Sequence, residues 1–345
     1  MAPLLEVKDL KLYYPVGRSG LLGKPITTVK AVDGVSFTII RGESMGLVGE
    51  SGSGKTSLGR AILRVVEPTS GKVLLHLGKK IIDITSINHD NLRRMWKHMQ
   101  MIFQDPYSSL NPRMTVRDII AEPMVANHIA KGSDLKDRVV DMARRCGLDV
   151  EQLSRYPHAF SGGQRQRIGI ARALVLHPAL LVCDEPISSL DVSIQAQIMN
   201  LLKDLQQQLN LTYLFIAHNL SVVAYACDRV AVMYLGQLVE VAPTEILYYK
   251  PKHPYTESLM SAIPAPDPDN VMEPILISGE RPNPANPPSG CRFHTRCQYV
   301  DTKCETQVPE LIEYDPDHFI ACHYAEELQL KGALEQPAAV KKEHT

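Results

Sequence analysis

One eight-residue segment has the composition of a phosphate-binding loop. It reads Gly49-Glu50-Ser51-Gly52-Ser53-Gly54-Lys55-Thr56 and fits the pattern G-x-x-x-x-G-K-[ST] at every position. The glycines let successive backbone N–H groups turn inward around an anion, and a helix that starts there adds the positive end of its dipole. The lysine reaches the β- and γ-phosphates, and the threonine hydroxyl is placed to ligate Mg²⁺. With Ser57, this segment predicts a nucleoside triphosphate site.

Two acidic residues follow an apolar run that predicts a buried strand. The run covers residues 180–183, and Asp184 and Glu185 come directly after it. Parallel strands present their last residues at the carboxyl edge of the sheet, where α/β proteins bind ligands. We expect Asp184 to hold Mg²⁺ through water and Glu185 to polarise the water that attacks the γ-phosphate. His218 stands at the end of the next predicted strand, where it can contact the same phosphate.

Two further segments have residues suited to a nucleotide. Ser161-Gly162-Gly163-Gln164 opens a helical pattern, so the serine is a good N-cap and the helix start is a second anion site. Tyr14 is favoured over Tyr13 as the aromatic face on which an adenine ring stacks.

The elements that must position these residues predict an α/β fold. A short strand at 45–48 leads into the phosphate loop, and an amphipathic helix at 57–66 leaves it. Other core strands are predicted at 100–104, 180–185 and 212–217, and a hairpin turning at Gly236 closes the core. A strand at 4–14 and a strand pair across 29–40 precede the core, and residues 105–165 form an inserted helical subdomain.

Composition narrows the class of protein. The chain has 345 residues, of which 44% are hydrophobic and 22% charged, as in globular proteins with a real core. Lys plus Arg total 37 and Asp plus Glu total 38, so no basic field predicts a nucleic-acid partner. No apolar run approaches the ~18–20 residues that span a bilayer. Residues 1–9 lack the apolar centre of a secretory signal, so we expect a cytoplasmic protein with reduced cysteines.

Six motifs together resemble the ATP-binding subunits of ABC transporters. They are the phosphate loop, Gln104, 161–164, 180–185, 188–191 and His218, in that family's order. The resemblance implies a P-loop NTPase core with an antiparallel β subdomain and an inserted helical subdomain, in a domain covering 4–250. It also implies a dimer that sandwiches two ATP molecules, in which 161–164 of one subunit contacts the γ-phosphate held by the other.

The resemblance implies roles for single residues as well. Gln104 senses the nucleotide and Mg²⁺ and faces the membrane subunit. Asp191 couples the two ATP sites, and His218 positions the γ-phosphate. Departures from the family's usual residues remove no donor, base or charge, so the resemblance implies hydrolysis with Glu185 as the base.

Four segments narrow the resemblance to the oligopeptide/dipeptide permease ATPases, and the long first loop favours the F-type over the D-type subunit. The segments are Tyr14-Pro15-Val16, Val29-Lys30-Ala31-Val32-Asp33-Gly34, Tyr156-Pro157-His158 and His253-Pro254-Tyr255-Thr256. The implied partners are a second ATPase subunit, identical or paralogous, two integral membrane permease subunits and, indirectly, an extracytoplasmic peptide-binding protein. The implied location is peripheral, at the cytoplasmic face of the inner membrane. Importers of glutathione or nickel chelates are the alternative.

The remainder, 251–330, predicts a C-terminal extension. Its first part is rich in proline, which predicts an extended linker with little regular structure: Pro264, Pro266, Pro268, Pro274, Pro282, Pro284, Pro287 and Pro288. Four cysteines follow, separated by five, six and seventeen residues: Cys291, Cys297, Cys304 and Cys322. Residues 331–345 predict a disordered tail.

Four cysteines in a reducing compartment indicate a metal site. Their spacing is neither that of a zinc ribbon nor that of a ferredoxin, so zinc and an iron–sulfur cluster both remain open. Two histidines lie near these cysteines in the sequence, His294 between Cys291 and Cys297 and His323 directly after Cys322. Each serves either as a metal ligand or as a hydrogen-bond donor to the metal site. Similar tails in dipeptide permease ATPases carry a [4Fe–4S] cluster, so the resemblance favours that cluster, in a structural or regulatory role, over zinc or no metal.

Two other classes of function compete with a peptide importer. Soluble ABC ATPases that act on DNA or ribosomes usually carry two cores, long coiled coils or basic surfaces, and this chain has one core, no sustained heptads and a balanced charge. A nucleotide-binding regulator without turnover would not need Asp184, Glu185 and His218 together. The sequence therefore favours the motor subunit of an importer.

Overall fold

The computed structural model describes residues 2–18, 25–263 and 275–333, which fall into two compact units. The first unit comprises Met1–Leu12, Gly34–Gly46 and Thr56–Ala217. The second comprises Tyr13–Asp33, Leu47–Lys55 and His218–Thr345. Three predicted features lie wholly or partly outside the described residues: most of the first loop, the tail from 334, and the linker prolines Pro264, Pro266, Pro268 and Pro274.

The described strands, in chain order, are β1 (Pro3–Arg18), β2 (Pro25–Ile40), β3 (Ser44–Val48), β4 (Ser70–Leu77), β5 (Lys80–Asp83), β6 (Met99–Ile102), β7 (Leu180–Asp184), β8 (Thr212–Ile216), β9 (Arg229–Tyr234), β10 (Gln237–Pro243), β11 (Ile312–Asp315) and β12 (His318–Ile320). The helices are α1 (Lys55–Ile62), α2 (His89–Met95), α3 (Val116–Ala126), α4 (Gly132–Arg145), α5 (Gly162–Leu174), α6 (Val192–Leu209), α7 (Leu220–Ala226), α8 (Thr244–Tyr249), α9 (Pro254–Ser261) and α10 (Thr302–Thr306). Short 3₁₀ helices cover Val150–Ser154, Pro157–Ala159 and His294–Arg296.

The first unit contains β4, β5 and parts of β1 and β2, which belong to the antiparallel β subdomain that the resemblance implies. Its sheet has the order β2-β1-β4-β5. Leu5 of β1 lies opposite Leu75 of β4, and Val7 opposite Val73, so the apolar residues of both strands share one buried face. The strand pair predicted across 29–40 is wrong, because these residues belong to the single strand β2.

The first unit also contains parallel strands that end at the predicted acids. β7 pairs in parallel with β6 and with β8, with Val182 opposite both Met101 and Leu214. Every residue of β7 and β8 is buried, which explains why their sequences are continuous apolar runs and lack alternation. These pairings fix where Asp184 and the residues after it leave the sheet.

Helices α3 and α4 lie within the segment predicted to be a helical subdomain, 105–165. Buried residues recur at helical spacing in α3, at Val116, Ile119, Ile120 and Met124, so one face packs inward. The proposed boundaries of this subdomain, and the division of the chain near residue 250, stay predictions.

The second unit corrects the prediction of an irregular extension. The hairpin β9–β10 turns at Gly236, as predicted, and β12 then pairs antiparallel with β10, and β11 with β12. These added strands are three and four residues long, too short to show a pattern in the sequence. β10 supplies their hydrogen-bonding edge, which local sequence does not reveal.

Helix α9 corrects the predicted start of the linker. The first part of the extension is predicted to be an extended linker, but Pro254 is the first residue of a helix, where its missing N–H costs no hydrogen bond. His253 caps this helix by accepting the Tyr255 N–H at Nδ1, 3.1 Å away. Most of α9 is buried, so it is part of the unit's core.

Candidate nucleotide-binding site and cysteine site

The phosphate loop follows β3 and has a backbone that glycine alone fits. Gly49 has φ +147° and Gly54 has φ +109°. A Cβ on Gly54 would lie 2.0 Å from the Ala31 carbonyl oxygen, and one on Gly49 would lie 2.2 Å from that of Met233. Because the chain passes this close to its neighbours, the loop keeps the shape that turns its N–H groups inward.

Two side chains of the loop are buried in a manner that suits an anion. Lys55 is 6% exposed and donates from Nζ to the carbonyl oxygens of Gly49 and Glu50, at 2.8 and 2.9 Å. The Ser53 hydroxyl is buried and has no hydrogen-bond partner within the described ranges. A buried ammonium and a buried unpaired hydroxyl beside a backbone cradle fit the phosphates of a nucleotide.

Thr56 and Asp184 come together in the first unit. The Thr56 hydroxyl donates to Asp184 Oδ1 at 2.9 Å, and Asp184 is buried at the end of β7. A hydroxyl and a carboxylate are oxygen ligands of the kind that Mg²⁺ prefers. The donor set therefore fits the predicted magnesium site, to which Gln104 was also assigned.

Glu185 and Gln104 are also brought together. Gln104 Nε2 donates to Glu185 Oε2 at 2.8 Å. The backbone of Glu185 has φ +45°, a left-handed conformation that is uncommon for a residue other than glycine, and its N–H donates to the Ile216 carbonyl at 2.9 Å. Backbone of this kind costs free energy, which the surrounding structure must offset.

The predicted second anion site is a capped helix start. Ser161 Oγ accepts the Gln164 N–H, and Gln164 Oε1 accepts the Ser161 N–H, which makes a complete capping box on α5. Ser161 and Gln164 are exposed. A Cβ on Gly163 would lie 2.6 Å from Ile194 Cγ2 on α6, so α5 and α6 meet closely there. Asp191 is the exposed N-cap of α6.

The remaining predicted nucleotide residues lie in the second unit. Tyr14 is half-buried on β1, while the Tyr13 hydroxyl donates to Asp33. His218 is exposed and follows β8 by two residues. The roles assigned to these residues from sequence stay predictions.

The four cysteines line one small cavity of about 20 Å³. Burial raises the pKa of Cys291, Cys297 and Cys322 to about 11, and the charge of neighbouring thiolates, including that of Cys304, adds to the effect. Without a metal these groups are therefore neutral thiols near pH 7. The structure brings together the set that the sequence singled out, across 31 positions from 291 to 322.

Comparison with known proteins identifies the family. The ABC transporter profile matches residues 32–188, and that of the oligopeptide/dipeptide transporter C-terminal region matches residues 239–304. The oligopeptide transport ATP-binding protein AppF of Bacillus subtilis (strain 168) is 50% identical over 323 residues, which cover 93% of this chain and 97% of AppF. The chain belongs to the ABC transporter ATP-binding proteins of the oligopeptide/dipeptide type. It is an ATPase.

Solved structures agree on the fold. The ATP-binding cassette MJ0796, as a post-hydrolysis dimer with ADP and phosphate, superposes with a TM-score of 0.60 at 24% identity, covering 70% of this chain and 98% of that one. CbiO1 from Clostridium perfringens superposes with a TM-score of 0.59 at 26% identity, covering 71% and 90%. The predicted ABC ATPase fold is confirmed. In the described ranges of this ATPase, no helix is both long and apolar enough to cross a bilayer.

The predicted metal in the extension is not confirmed. Within the residues that the structure describes, no three His, Cys, Asp or Glu side chains are grouped closely enough to hold a metal ion. The two adjacent histidines make other contacts: His294 Nδ1 lies 2.8 Å from the Cys291 carbonyl oxygen, and His323 Nε2 lies 3.0 Å from that of Gln307. Four cysteines that line one cavity are thus present in this ATPase, and the group that they hold is a matter for proposal.

Sequence analysis missed residues that contact the phosphate loop. Glu50 occupies a position that the loop pattern leaves open, yet its carboxylate forms ion pairs with Arg281 and Arg296 of the extension. No local pattern could have found these pairs, because 231 and 246 positions separate the partners.

Proposed function

We propose that this ATPase is the motor subunit of an importer for dipeptides or oligopeptides. The observation that carries the proposal is the 50% identity to AppF, a protein named for oligopeptide transport, over 97% of its length. The match of residues 239–304 to the oligopeptide/dipeptide transporter C-terminal region supports it. We assign 4–250 to the ATP-binding domain and 251–330 to the extension, and we favour an F-type subunit.

ATP hydrolysis is assigned to residues that the structure places in pairs. Glu185, held by the Gln104 amide, takes a proton from the water that attacks the γ-phosphate. Lys55 and the glycine cradle bind the phosphates, while Thr56 and Asp184 hold Mg²⁺. Magnesium, when bound, neutralises phosphate charge as it develops.

A second ATPase subunit, identical or paralogous, completes each ATP site. The exposed start of α5 at Ser161 offers backbone N–H groups and a hydroxyl to a γ-phosphate held by the partner. Asp191, at the exposed start of α6, couples the two sites, His218 positions the γ-phosphate, and Tyr14 stacks on the adenine. The dimeric state of MJ0796 supports this arrangement.

Two integral membrane subunits dock on the first unit. An open groove of about 650 Å³ lies between residues of α2, α3 and the segment after α1, and Trp96 and Met101 help to line it. Val65 and Phe103, which help to line it, are 56% and 41% exposed and so offer apolar contact area to a partner. An amphipathic helix from a membrane subunit fits such a groove. The chain therefore works at the cytoplasmic face of the inner membrane, and the external peptide-binding protein acts on it indirectly.

The cysteine cavity is proposed to hold a [4Fe–4S] cluster, with zinc as the alternative. Four thiols line one cavity, so the cysteines by themselves can supply a Cys₄ set. Zinc and iron–sulfur clusters both bind to cysteine thiolates, and metal analysis of the purified protein distinguishes them.

Transport by the assembled importer is the decisive test. The tagged chain is purified with its membrane partners, reconstituted in vesicles with the binding protein, and given labelled dipeptides, longer peptides, glutathione or a nickel chelate. ATP-dependent uptake of peptides that stops with Glu185→Gln supports the proposal. Uptake of glutathione or a nickel chelate alone would show that the proposed substrate is wrong. Copurification with ribosomes or DNA, without membrane subunits, would overturn the proposal of an importer.

A further inference from the structure

The outer side of the phosphate loop is contacted by two arginines of the extension. Arg281 Nε donates to Glu50 Oε2 at 3.0 Å, and its Nη1 donates to the Ser51 carbonyl. Arg296 Nη1 lies 3.2 Å from both carboxylate oxygens of Glu50. All these residues belong to the second unit. Glu50 thus anchors the loop to the extension at a position that does not itself bind phosphate in the loop pattern.

A buried aromatic cluster fixes this contact. Arg296 donates to the Tyr234 hydroxyl at 3.3 Å, and the Tyr255 hydroxyl accepts the Glu50 N–H at 2.8 Å. The ring centroids of Tyr234 and Tyr255 are 4.6 Å apart, and Phe293 lies 5.2 and 5.3 Å from them. All three rings are almost fully buried, so both the carboxylate and the backbone of Glu50 have a rigid support.

The charges of Glu50, Arg281 and Arg296 favour the binding of a polyanion at the neighbouring phosphate loop. Two guanidinium groups face one carboxylate, so the group carries a net positive charge beside the loop. The Arg296 side chain is 9% exposed, and Coulomb interactions are stronger there than in bulk water. Removing Arg296 would leave a less compensated carboxylate next to the phosphates and release one restraint on the loop.

We propose that Arg296, assisted by Arg281, is a positioning residue for ATP binding that acts through Glu50. It holds the loop in the shape that receives phosphates and offsets the negative charge of Glu50. Because Phe293 and Arg296 lie between Cys291 and Cys297, the folded cysteine segment becomes part of the ATP site. The proposal rests on the ATPase activity, and it requires neither peptide as cargo nor a particular metal.

The test is a double-mutant cycle in the full chain. Arg296→Gln is expected to raise the KM and the Kd for MgATP about tenfold and to change kcat less than about twofold. Glu50→Gln/Arg296→Gln should bind MgATP more tightly than Arg296→Gln alone, because no uncompensated carboxylate remains. Arg296→Lys should recover part of the affinity, and Arg281→Gln, whose side chain is 44% exposed, should cost about twofold.

A matched control is Arg138→Gln, which breaks the exposed pair with Asp134 on α4 and should leave KM and Kd unchanged. Unchanged MgATP affinity in Arg296→Gln would overturn the proposal. So would a fall in kcat with KM unchanged, or equal losses in the single and double variants. Iron and zinc are measured on the same samples. Weaker ATP binding at wild-type metal content supports the proposal, and weaker binding only in samples that lost metal would assign the effect to the cysteine site.

Discussion

Glu185 combines a left-handed backbone with a hydrogen bond from Gln104. The strand before it is fully buried and paired on both sides, and the chain turns directly after it. That turn places a carboxylate at the carboxyl edge of the parallel strands, where ligands of α/β proteins bind. At the residue scale, position along a strand and backbone strain together mark the proposed catalytic base.

Replacing this carboxylate tests its role directly. Glu185→Gln keeps the size of the side chain but removes the base, so hydrolysis should fall by about 10²–10⁴-fold while MgATP affinity is retained. Single-turnover hydrolysis and nucleotide binding, measured on the same preparation, separate the two effects. Wild-type turnover in this variant would disprove the assigned mechanism.

A glycine of the loop offers a second test at this scale. Gly54→Ala would bring a Cβ within 2.0 Å of the Ala31 carbonyl at a φ of +109°, so we expect nucleotide binding to be lost. Gly169→Ala on α5 is the matched control, because a Cβ there meets no atom within 4 Å. It should keep ATP binding and raise helix stability by about 0.5–1 kcal/mol. Equal ATP affinity in the two variants would contradict the proposed cradle.

At the scale of elements, α9 and β12 join the extension to β10 within the second unit. Both contact Glu240, a buried carboxylate on β10 that accepts the His253 N–H at 3.0 Å and lies 2.8 Å from His318 Nε2. A buried carboxylate needs such partners, because its desolvation is costly. The start of α9 and the strand β12 are therefore held at one point on the same strand.

The cap of α9 predicts a pH dependence of stability. Burial lowers the pKa of His253 to about 3, and its Nδ1 must stay unprotonated to accept the Tyr255 N–H. The unfolded chain binds this proton near pH 6.5, so the contribution to stability is complete above 6.5 and decreases as the pH falls towards 3. The slope is at most about 1.4 kcal/mol per pH unit.

His253→Asn isolates this contribution. Asparagine keeps an N-cap acceptor but does not titrate, so its unfolding free energy should depend less steeply on pH between about 6.5 and 3. Chemical denaturation of both proteins at several pH values gives the comparison. Parallel pH profiles for wild type and variant would show that His253 does not carry the effect.

At the scale of the whole molecule, the chain carries two sites of different chemistry. One is the phosphate loop, which is proposed to bind nucleotide, and the other is the set of four cysteines that line a cavity in the extension. The contacts of Glu50 with Arg281 and Arg296 connect the phosphate loop to that extension. The extension is therefore expected to affect ATP binding as well as any metal it holds.

Metal analysis tests the cysteine site. Protein purified without oxygen should contain about four iron and four acid-labile sulfide per chain, as a Cys₄ cubane requires. Cys297→Ser should lose them, and Cys146→Ser, which changes a buried cysteine of the first unit, should not. If the protein contains zinc and no iron, the site holds a structural zinc ion and the cluster proposal is wrong. If the protein is active and contains no metal, the proposal of a metal site is wrong.

Local chemistry explains what the sequence by itself determined. The phosphate loop, the capping box at Ser161 and the acids at the end of β7 are each decided by residues within a few positions of one another, so their patterns are visible in the chain. Short continuous apolar runs likewise revealed the buried strands. Tertiary structure alone decided the pairing of β12 with β10, the burial of α9 and the ion pairs of Arg281 and Arg296 with Glu50. These contacts join residues that are far apart in the sequence, and the packing of the whole unit brings them together. They therefore produce no local periodicity from which they could be predicted.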